Sequence, residues 1–123
     1  MRTLLVIDDE PELGAIIEGI FAKRGWRVVQ LGDGAHAHAA AIAESPDAVL
    51  LDLNLPEMSG FDVCRALKTD PRTQGIPILM MTASHVARED AELGFEFGAD
   101  EYMVKPFVRQ ILVHNVERLV AQH

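Results

Sequence analysis

The fold is decided by one stretch of the chain, Pro46-Asp47-Ala48-Val49-Leu50-Leu51-Asp52-Leu53-Asn54-Leu55-Pro56. Its apolar run shows no polar alternation, which is typical of a strand buried on both faces of a parallel sheet covered by helices. The run ends directly in the carboxylate of Asp52. Ligands of open α/β sheets bind at the carboxyl ends of the strands, where helix N-termini also converge. Asp52 is therefore a candidate for chemistry, although for a single acid before Pro56 a turn is the commoner explanation.

Three further apolar runs end in polar side chains in the same way, namely in Asp8 and Asp9, in Thr82, and in Lys105. The carboxyl ends of parallel strands lie along one edge of the sheet, so these residues are predicted to meet Asp52 in one pocket. Each of them could separately be a cap, a turn former or a surface charge. Those explanations would have to coincide at four strand ends.

Between the apolar runs, the sequence carries the 3.6-residue period of amphipathic helices. The first helix is predicted to bury Leu13, Ile16, Ile17, Ile20 and Phe21, and the last one Val108, Ile111, Leu112, Val116, Leu119 and Val120. An alanine-rich helix after Gly34 is predicted to pack through Ala35, Ala39, Ile42 and Ala43, and the fourth helix to begin near Val86. Strand and helix alternate five times, which predicts an α/β fold: one (βα)5 doubly wound, flavodoxin-like domain over residues 1–123. Its parallel five-stranded sheet is expected to have the strand order 2-1-3-4-5.

Composition narrows the possible functions. A chain of 123 residues with 49% hydrophobic residues forms one folded domain. The net charge of -8 disfavours binding of this chain to nucleic acid or to an anionic membrane. Cys64 is the only cysteine and is predicted to be a small buried apolar side chain on a helix. Because one cysteine cannot form an intrachain disulfide, we expect a reducing compartment and a cytoplasmic protein. The acidic residues 8–10 interrupt any signal-peptide pattern, and no apolar run approaches the roughly 18 residues that a membrane span needs.

The predicted pocket has the chemistry of a magnesium site. Three carboxylates in one place repel one another, and a divalent cation keeps all of them ionised at neutral pH. Oxygen ligands without His or Cys favour Mg²⁺. The Lys105 ammonium and the Thr82 hydroxyl add donors that suit the oxygens of a phosphoryl group in transfer. Asp52 can then act as the in-line nucleophile and form an aspartyl phosphate.

At these residues the sequence resembles the receiver domain of two-component response regulators. The resemblance covers essentially the whole chain. It rests on Asp8-Asp9 after the first apolar run, Asp52 followed by Pro56 and Gly60, Thr82-Ala83, and Gly98-Ala99-Asp100-Glu101-Tyr102-Met103-Val104-Lys105-Pro106-Phe107.

The resemblance implies that Asp52 accepts a phosphoryl group from a sensor histidine kinase or a phosphotransfer protein. It implies Mg²⁺ bound directly by Asp9, by Asp52 and by the main-chain carbonyl of Asn54, and by Asp8 through water. Such a protein is a signalling switch and not a turnover enzyme, since its only reactions are its own phosphorylation and the slow loss of that phosphate.

The resemblance also assigns the switching residues. Lys105 would pair with the phosphoryl group, and its peptide bond to Pro106 is expected to be cis. Thr82 would move towards a phosphoryl oxygen and Tyr102 would rotate inwards, which reshapes the surface of the fourth helix, fifth strand and fifth helix for an effector protein or domain. Asn54 and Ser84 stand at positions that tune the lifetime of the phosphate in this family.

Two departures from the family pattern bear on partners. Many transcription-factor receivers carry Glu-Leu early in the last helix and Arg four residues after that Glu, and these residues form a charged dimer face. This chain has Ile111-Leu112 and Asn115 at those positions, so dimerisation through such a face is in doubt. The chain ends at His123, which leaves open whether it is a stand-alone receiver or a fragment of a longer protein.

Two alternatives explain parts of the pattern. The segment Gly32-Asp33-Gly34-Ala35-His36-Ala37 matches the dinucleotide fingerprint G-x-G-x-x-A, but a Rossmann-like module leaves the other pocket residues unexplained. A phosphatase of the haloacid dehalogenase type also uses a strand-end Asp with Mg²⁺, Thr and Lys. That phosphatase needs a second Asp two residues after the nucleophile, where this chain has Asn54.

Overall fold

The computed structural model describes residues 1–83 and 87–122. The strands are β1 (Thr3–Ile7), β2 (Arg27–Leu31), β3 (Ala48–Asp52), β4 (Ile78–Thr82) and β5 (Glu101–Val104). The helices are α1 (Pro11–Ala22), α2 (Ala37–Glu44), α3 (Gly60–Lys68), α4 (Ala87–Glu96) and α5 (Arg109–Gln122). All strand pairs are parallel and their order is β2-β1-β3-β4-β5. The predicted fold class and strand order are confirmed. Within the described residues no helix has the length and apolarity that crossing a bilayer requires.

The sheet separates two apolar layers. Alternate strand residues pack with α1 and α5 on one face, and the others pack with α2 and α3 on the opposite face. Along β3, Leu50 belongs to the first layer and Val49 and Leu51 to the second, and all five strand residues are buried. Burial on both faces is the reason why the strand reads as a continuous apolar run.

Several predicted core positions are exposed. In α1, Ile16 is 59% exposed while Ile17 and Phe21 are buried. Val108, just before α5, and Ile111 in α5 are also exposed. The apolar residues on these helices cover a wider arc than the sheet can bury. The predicted apolar period was therefore right, but the predicted stripe was too wide.

The predicted face of α2 was wrong. Ala37 and Ala41 are buried, whereas Ala35, Ala39 and Ala43 are exposed. A helix with alanine on every side gives no apolar stripe that marks the buried face, so its rotation is set by the neighbouring side chains.

Local backbone geometry and hydrogen bonds explain where β2 and β4 begin. Gly25 has a φ of 86° and turns the chain after α1. The Trp26 amide donates to the Phe21 carbonyl oxygen, and β2 begins at the next residue, Arg27. Pro77 directly precedes β4, as its missing amide demands. The predicted start of the fourth helix at Val86 lies outside the described residues.

Cys64 is fully buried in α3, which confirms its predicted structural role. Burial raises the pKa of its thiol to about 11. The thiol is therefore protonated at neutral pH and packs as a small apolar side chain.

A network that the sequence did not reveal ties the amino edge of the sheet to α3. Lys68 Nζ donates to the carbonyl oxygens of Gln74 at 3.3 Å and Ile76 at 2.8 Å, and to Asp100 Oδ2 at 2.9 Å. The same Asp100 oxygen accepts the amide of Ile78, the first residue of β4, at 2.8 Å. One ammonium thus joins the end of α3, the loop before β4 and the turn before β5.

Removing this ammonium should destabilise the fold. We expect Lys68→Met to lower the free energy of unfolding by about 2 kcal/mol, because it removes the ammonium that lies 2.9 Å from the partly buried Asp100 carboxylate and donates to two carbonyl groups. Urea unfolding measures the change. The matched control is Arg65→Met on the exposed side of the same helix, which should change stability by less than about 0.5 kcal/mol. Equal effects of the two substitutions would contradict a special role for Lys68.

Candidate metal centre at the carboxyl edge of the sheet

Three carboxylates meet where β1 and β3 end. Asp8 and Asp52 are only 7% and 3% exposed, while Asp9 faces solvent. One carboxylate oxygen from each of the three residues lies within 4.8 Å of the others. The two strands are direct neighbours in the sheet, which brings residues 44 positions apart into one pocket.

Lys105 enters the same pocket from the end of β5. Its Nζ lies 2.8 Å from Asp8 Oδ2, 3.4 Å from Asp52 Oδ2 and 4.0 Å from Glu10 Oε2. The peptide bond from Lys105 to Pro106 is cis. One ammonium thus faces several carboxylates, and the pocket retains an excess of negative charge.

Burial and the neighbouring charges shift the pKa values of Asp52 and Lys105. Burial raises the pKa of Asp52 and the charge of Asp8 adds to that effect, while the Asn54 amide and Lys105 oppose it. Burial lowers the pKa of Lys105, but the hydrogen bond to Asp8 and the surrounding carboxylate charges outweigh it, so its pKa is raised. Lys105 is therefore a fixed cation, and the buried Asp52 carboxylate would gain from a second one.

The three carboxylates differ in the hydrogen bonds and ion pairs that they already make. Asp8 accepts from Lys105 through Oδ2 and from the Glu10 amide through Oδ1, each at 2.8 Å. Asp52 Oδ1 accepts the Asn54 amide at 3.0 Å. Within residues 1–83 and 87–122, the exposed Asp9 carboxylate makes no hydrogen bond or ion pair. Asp9 is thus the acid most available to a cation.

The donor set fits Mg²⁺. This ion takes oxygen ligands at about 2.0–2.1 Å in an octahedron, so pairs of ligands on one ion are separated by about 3–4 Å. Carboxylate oxygens within 4.8 Å of one another can converge on such an ion through small side-chain rotations. The water-facing position of Asp9 leaves space for the waters that Mg²⁺ retains.

Thr82 and Asn54 form the wall of the pocket on the β4 side. Thr82 is fully buried at the end of β4, and its hydroxyl accepts from the Asn54 side-chain amide at 3.3 Å. Its carbonyl oxygen accepts the Lys105 amide at 2.6 Å, which fixes the end of β5 beside it. Ser84, the other predicted lifetime position, lies outside the described residues.

Tyr102 lies on β5, one strand further from the acids. Its ring packs against the apolar layer that contains α2 and α3, and its hydroxyl oxygen is buried. The resemblance implies an inward rotation on switching, and this structure shows the ring with its hydroxyl already inside.

Gly60 holds the loop that follows β3 against the site. A Cβ at this position would lie 2.5 Å from the Asp52 carbonyl oxygen and 2.7 Å from Leu53 Cα. The Gly60 amide donates to the Leu53 carbonyl at 2.9 Å, and Ser59 caps α3 through the Phe61 amide at 3.1 Å. The sequence marked Gly60 only through the resemblance, because a close approach between backbone segments leaves no local pattern.

Residues 4–117 match the family model of the response regulator receiver domain. The chain belongs to this family. Over 115 residues it is 43% identical to the DNA-binding response regulator MtrA of Mycolicibacterium smegmatis, covering 94% of this chain and 49% of MtrA. The receiver chain therefore spans about half the length of the curated relatives it matches.

Solved receiver structures have the same fold. The chemotaxis protein CheY4 of Vibrio cholerae superimposes with a TM-score of 0.89 at 28% identity, covering 97% of this chain and 98% of CheY4. The receiver domain of the sensor histidine kinase PA1611 from Pseudomonas aeruginosa gives a TM-score of 0.87 at 28% identity, with 98% of each chain covered. That structure has a magnesium ion coordinated in its active site cleft. These matches give no support to the phosphatase or to the Rossmann-like module.

Charge repulsion in the pocket can be tested at its exposed acid. We expect Asp9→Ala to raise the melting temperature of the metal-free receiver by about 2–4 °C, because about 1 kcal/mol of repulsion is relieved. The same substitution should weaken Mg²⁺ binding. Calorimetric melting with and without Mg²⁺ measures both effects. Glu12→Ala, which removes an exposed acid from the first turn of α1, should give neither. A lower melting temperature for Asp9→Ala would show that this acid has a structural role instead.

Proposed function

We propose that this receiver is a phosphorylation-dependent switch whose phosphoacceptor is Asp52. The observation that carries the proposal is the buried Asp52 carboxylate placed within reach of both a carboxylate cluster and the Lys105 ammonium. A sensor histidine kinase or a phosphotransfer protein supplies the phosphoryl group from a phosphohistidine. The Asp52 oxygen forms a bond to phosphorus, the bond from phosphorus to the histidine nitrogen breaks, and that nitrogen keeps the electron pair.

The residues around Asp52 have separate tasks in this proposal. Asp9, Asp52 and the main-chain carbonyl of Asn54 hold Mg²⁺ directly, and Asp8 holds it through water. The bound ion supplies positive charge for the oxygens of the transferring group. Asp8 also orients Lys105, because it accepts the shortest of the bonds from that ammonium.

Phosphorylation would then change the wall of the pocket. Thr82 turns its hydroxyl towards the phosphoryl group and gives up the bond from Asn54, which is long at 3.3 Å. Tyr102 on β5, whose hydroxyl already lies inside in this structure, is held in that inward position once Thr82 has moved, and α4, β5 and α5 present an altered surface. That surface already exposes apolar side chains that a protein partner can cover: Leu93, Phe95, Val104, Val108 and Ile111.

The proposed partners are proteins. MtrA is named as DNA-binding, and this chain aligns with about half of it. A net charge of -8 argues against DNA contact by the receiver itself, so we propose a kinase as the donor and an effector protein or domain as the reader. The proposed reaction takes place in the cytoplasm, where ATP maintains the phosphohistidine donor. The receiver's own chemistry is limited to taking the phosphate and slowly losing it.

A phosphate analogue tests the switch. Beryllofluoride with Mg²⁺ should shift the ¹H–¹⁵N resonances of Thr82, Tyr102 and the α5 residues, because the analogue occupies Asp52 as a phosphoryl group would. The control is Asp52→Asn, whose spectrum should not respond to beryllofluoride. Shifts confined to the pocket would remove the signalling part of the proposal. An absence of any shift in the unsubstituted protein would remove the phosphoacceptor part as well.

A further inference from the structure

A cleft adjoins the carboxylate pocket and shares Lys105 with it. We call it the outer cleft, and its volume is about 450 Å³. Apart from Lys105 and Glu10 its lining is apolar, and consists of Leu13, Ile16, Ala83, Pro106 and Phe107. Lys105 Nζ lies 3.4 Å from Asp52 Oδ2. The outer cleft therefore opens close to the oxygen that would accept a phosphoryl group.

The fold makes little use of the Glu10 side chain. Glu10 is the N-cap residue of α1, yet its carboxylate makes no capping hydrogen bond, and 58% of the side chain is exposed. Its main chain is held instead, because its amide donates to Asp8 Oδ1 at 2.8 Å and its carbonyl accepts the Gly14 amide at 3.1 Å. Within residues 1–83 and 87–122, the carboxylate makes one ion pair, with Lys105 Nζ at 4.0 Å. It can therefore turn towards a group in the outer cleft.

A carboxylate at this place is unfavourable for most phosphoryl donors. It repels the phosphoryl oxygens, and it repels a leaving group that departs as an anion, such as the acetate of acetyl phosphate. A phosphoimidazole differs, because its ring is cationic when the nitrogen distal from phosphorus carries a proton. That ring departs as neutral imidazole, whereas an unprotonated ring would depart as an imidazolide anion. A carboxylate that accepts the distal N–H therefore favours the reactive form of the donor.

We propose that the outer cleft receives the imidazole ring of the phosphohistidine donor and that Glu10 accepts the distal N–H of that ring. The inference rests on the proposed phosphorylation of Asp52 and adds a residue that makes the chain prefer nitrogen-linked phosphate to acyl phosphate. The planar ring packs on the apolar wall that Pro106 and Phe107 contribute. The Asp52 oxygen bonds to phosphorus, the phosphorus–nitrogen bond breaks and that nitrogen keeps the electron pair. The distal proton stays on the ring, which leaves as neutral imidazole.

A simpler role for Glu10 would be to support the charge of Lys105. That ammonium is already held by the buried Asp8 at 2.8 Å, whereas the exposed Glu10 is 4.0 Å away. An exposed ion pair at that distance contributes little. The two roles also have different consequences. Loss of a support for Lys105 would slow every donor alike, while loss of a contact to the leaving group affects a cationic and an anionic leaving group differently.

The experiment compares two small donors on the intact chain with Mg²⁺, namely N-phosphoimidazole and acetyl phosphate. Intact-protein mass spectrometry gives the second-order rate constant for each. For Glu10→Gln, we expect phosphorylation by N-phosphoimidazole to be about fivefold slower, and phosphorylation by acetyl phosphate to be as fast as in the parent or up to about threefold faster. Glu10→Lys should enlarge both changes, because it replaces the negative charge by a positive one.

Two controls separate this preference from damage to the fold. Glu12→Gln neutralises an exposed acid in the first turn of α1 that does not line the outer cleft, and it should keep both parent rates. Glu10→Gln should melt at the parent temperature, because the side chain that it replaces makes no capping bond.

Three results would overturn the role of Glu10. They are an unchanged rate of Glu10→Gln with N-phosphoimidazole, equal slowing with both donors, and the same change of preference in Glu12→Gln. Equal slowing would assign Glu10 to the support of Lys105. Failure of the proposed function looks different, because a parent chain that neither donor labels would remove Asp52 as the phosphoacceptor together with the role of Glu10.

Discussion

Replacing Asp52 by asparagine is expected to abolish phosphorylation of the chain by acetyl phosphate in the presence of Mg²⁺. The substitution keeps the size of the side chain and can keep the bond from the Asn54 amide, but it removes the nucleophilic oxygen. Loss of a nucleophile typically costs several orders of magnitude, so labelling should fall by at least about 100-fold. Intact-protein mass spectrometry over a time course measures the rate.

Two controls separate this effect from unfolding. Asp62→Asn changes an exposed acid in the first turn of α3 and should be labelled at the parent rate. Asp52→Asn itself should melt at or above the parent temperature, because burial and the charge of Asp8 both disfavour the carboxylate that it replaces. Labelling of Asp52→Asn at the parent rate would show that the phosphoacceptor is another residue.

A single added methyl group at Gly60 should be the most damaging small substitution near the site. In Gly60→Ala, the new Cβ meets the main chain of Asp52 and Leu53, which cannot move aside without distorting the end of β3. We expect a loss of about 2–3 kcal/mol in the free energy of unfolding, together with slower phosphorylation. Urea unfolding and acetyl phosphate labelling measure the two effects.

The matched control is Gly19→Ala. Its Cβ would meet no atom within 4 Å in the middle of α1, so the substitution should raise stability by about 0.5–1 kcal/mol and leave phosphorylation unchanged. If Gly60→Ala is as stable and as reactive as the parent, the close packing of the β3–α3 loop does not position Asp52.

The parallel sheet and its carboxyl edge could be predicted because most of its strands form a local run of apolar residues that the sequence shows directly. Leu50 and its neighbours read as a strand buried on both faces, and parallel pairing then determines where Asp8 and Asp52 must meet. Helix faces were harder to predict. Alanine lies on every side of α2, so the sequence did not indicate that Ala37 and Ala41 are the buried residues. The apolar arc of α5 is wider than the face that packs on the sheet, so the exposure of Ile111 could not be predicted.

Long-range polar contacts left no pattern to find. Lys68 is an ordinary lysine near a helix end, and only the folded chain brings Asp100 and two carbonyl groups to its ammonium. The different burial of the pocket acids also left no pattern in the sequence. Asp8 and Asp9 are adjacent in sequence, yet one is buried against Lys105 and the other faces water.

The most direct test of the central claim is to locate the phosphate chemically. The chain is labelled with acetyl phosphate and Mg²⁺, the acyl phosphate is reduced with borohydride, and the digested protein is sequenced by mass spectrometry. The account predicts conversion of residue 52 to homoserine, with none when Mg²⁺ is removed by EDTA. Homoserine at another acid, or labelling that does not depend on Mg²⁺, would contradict it.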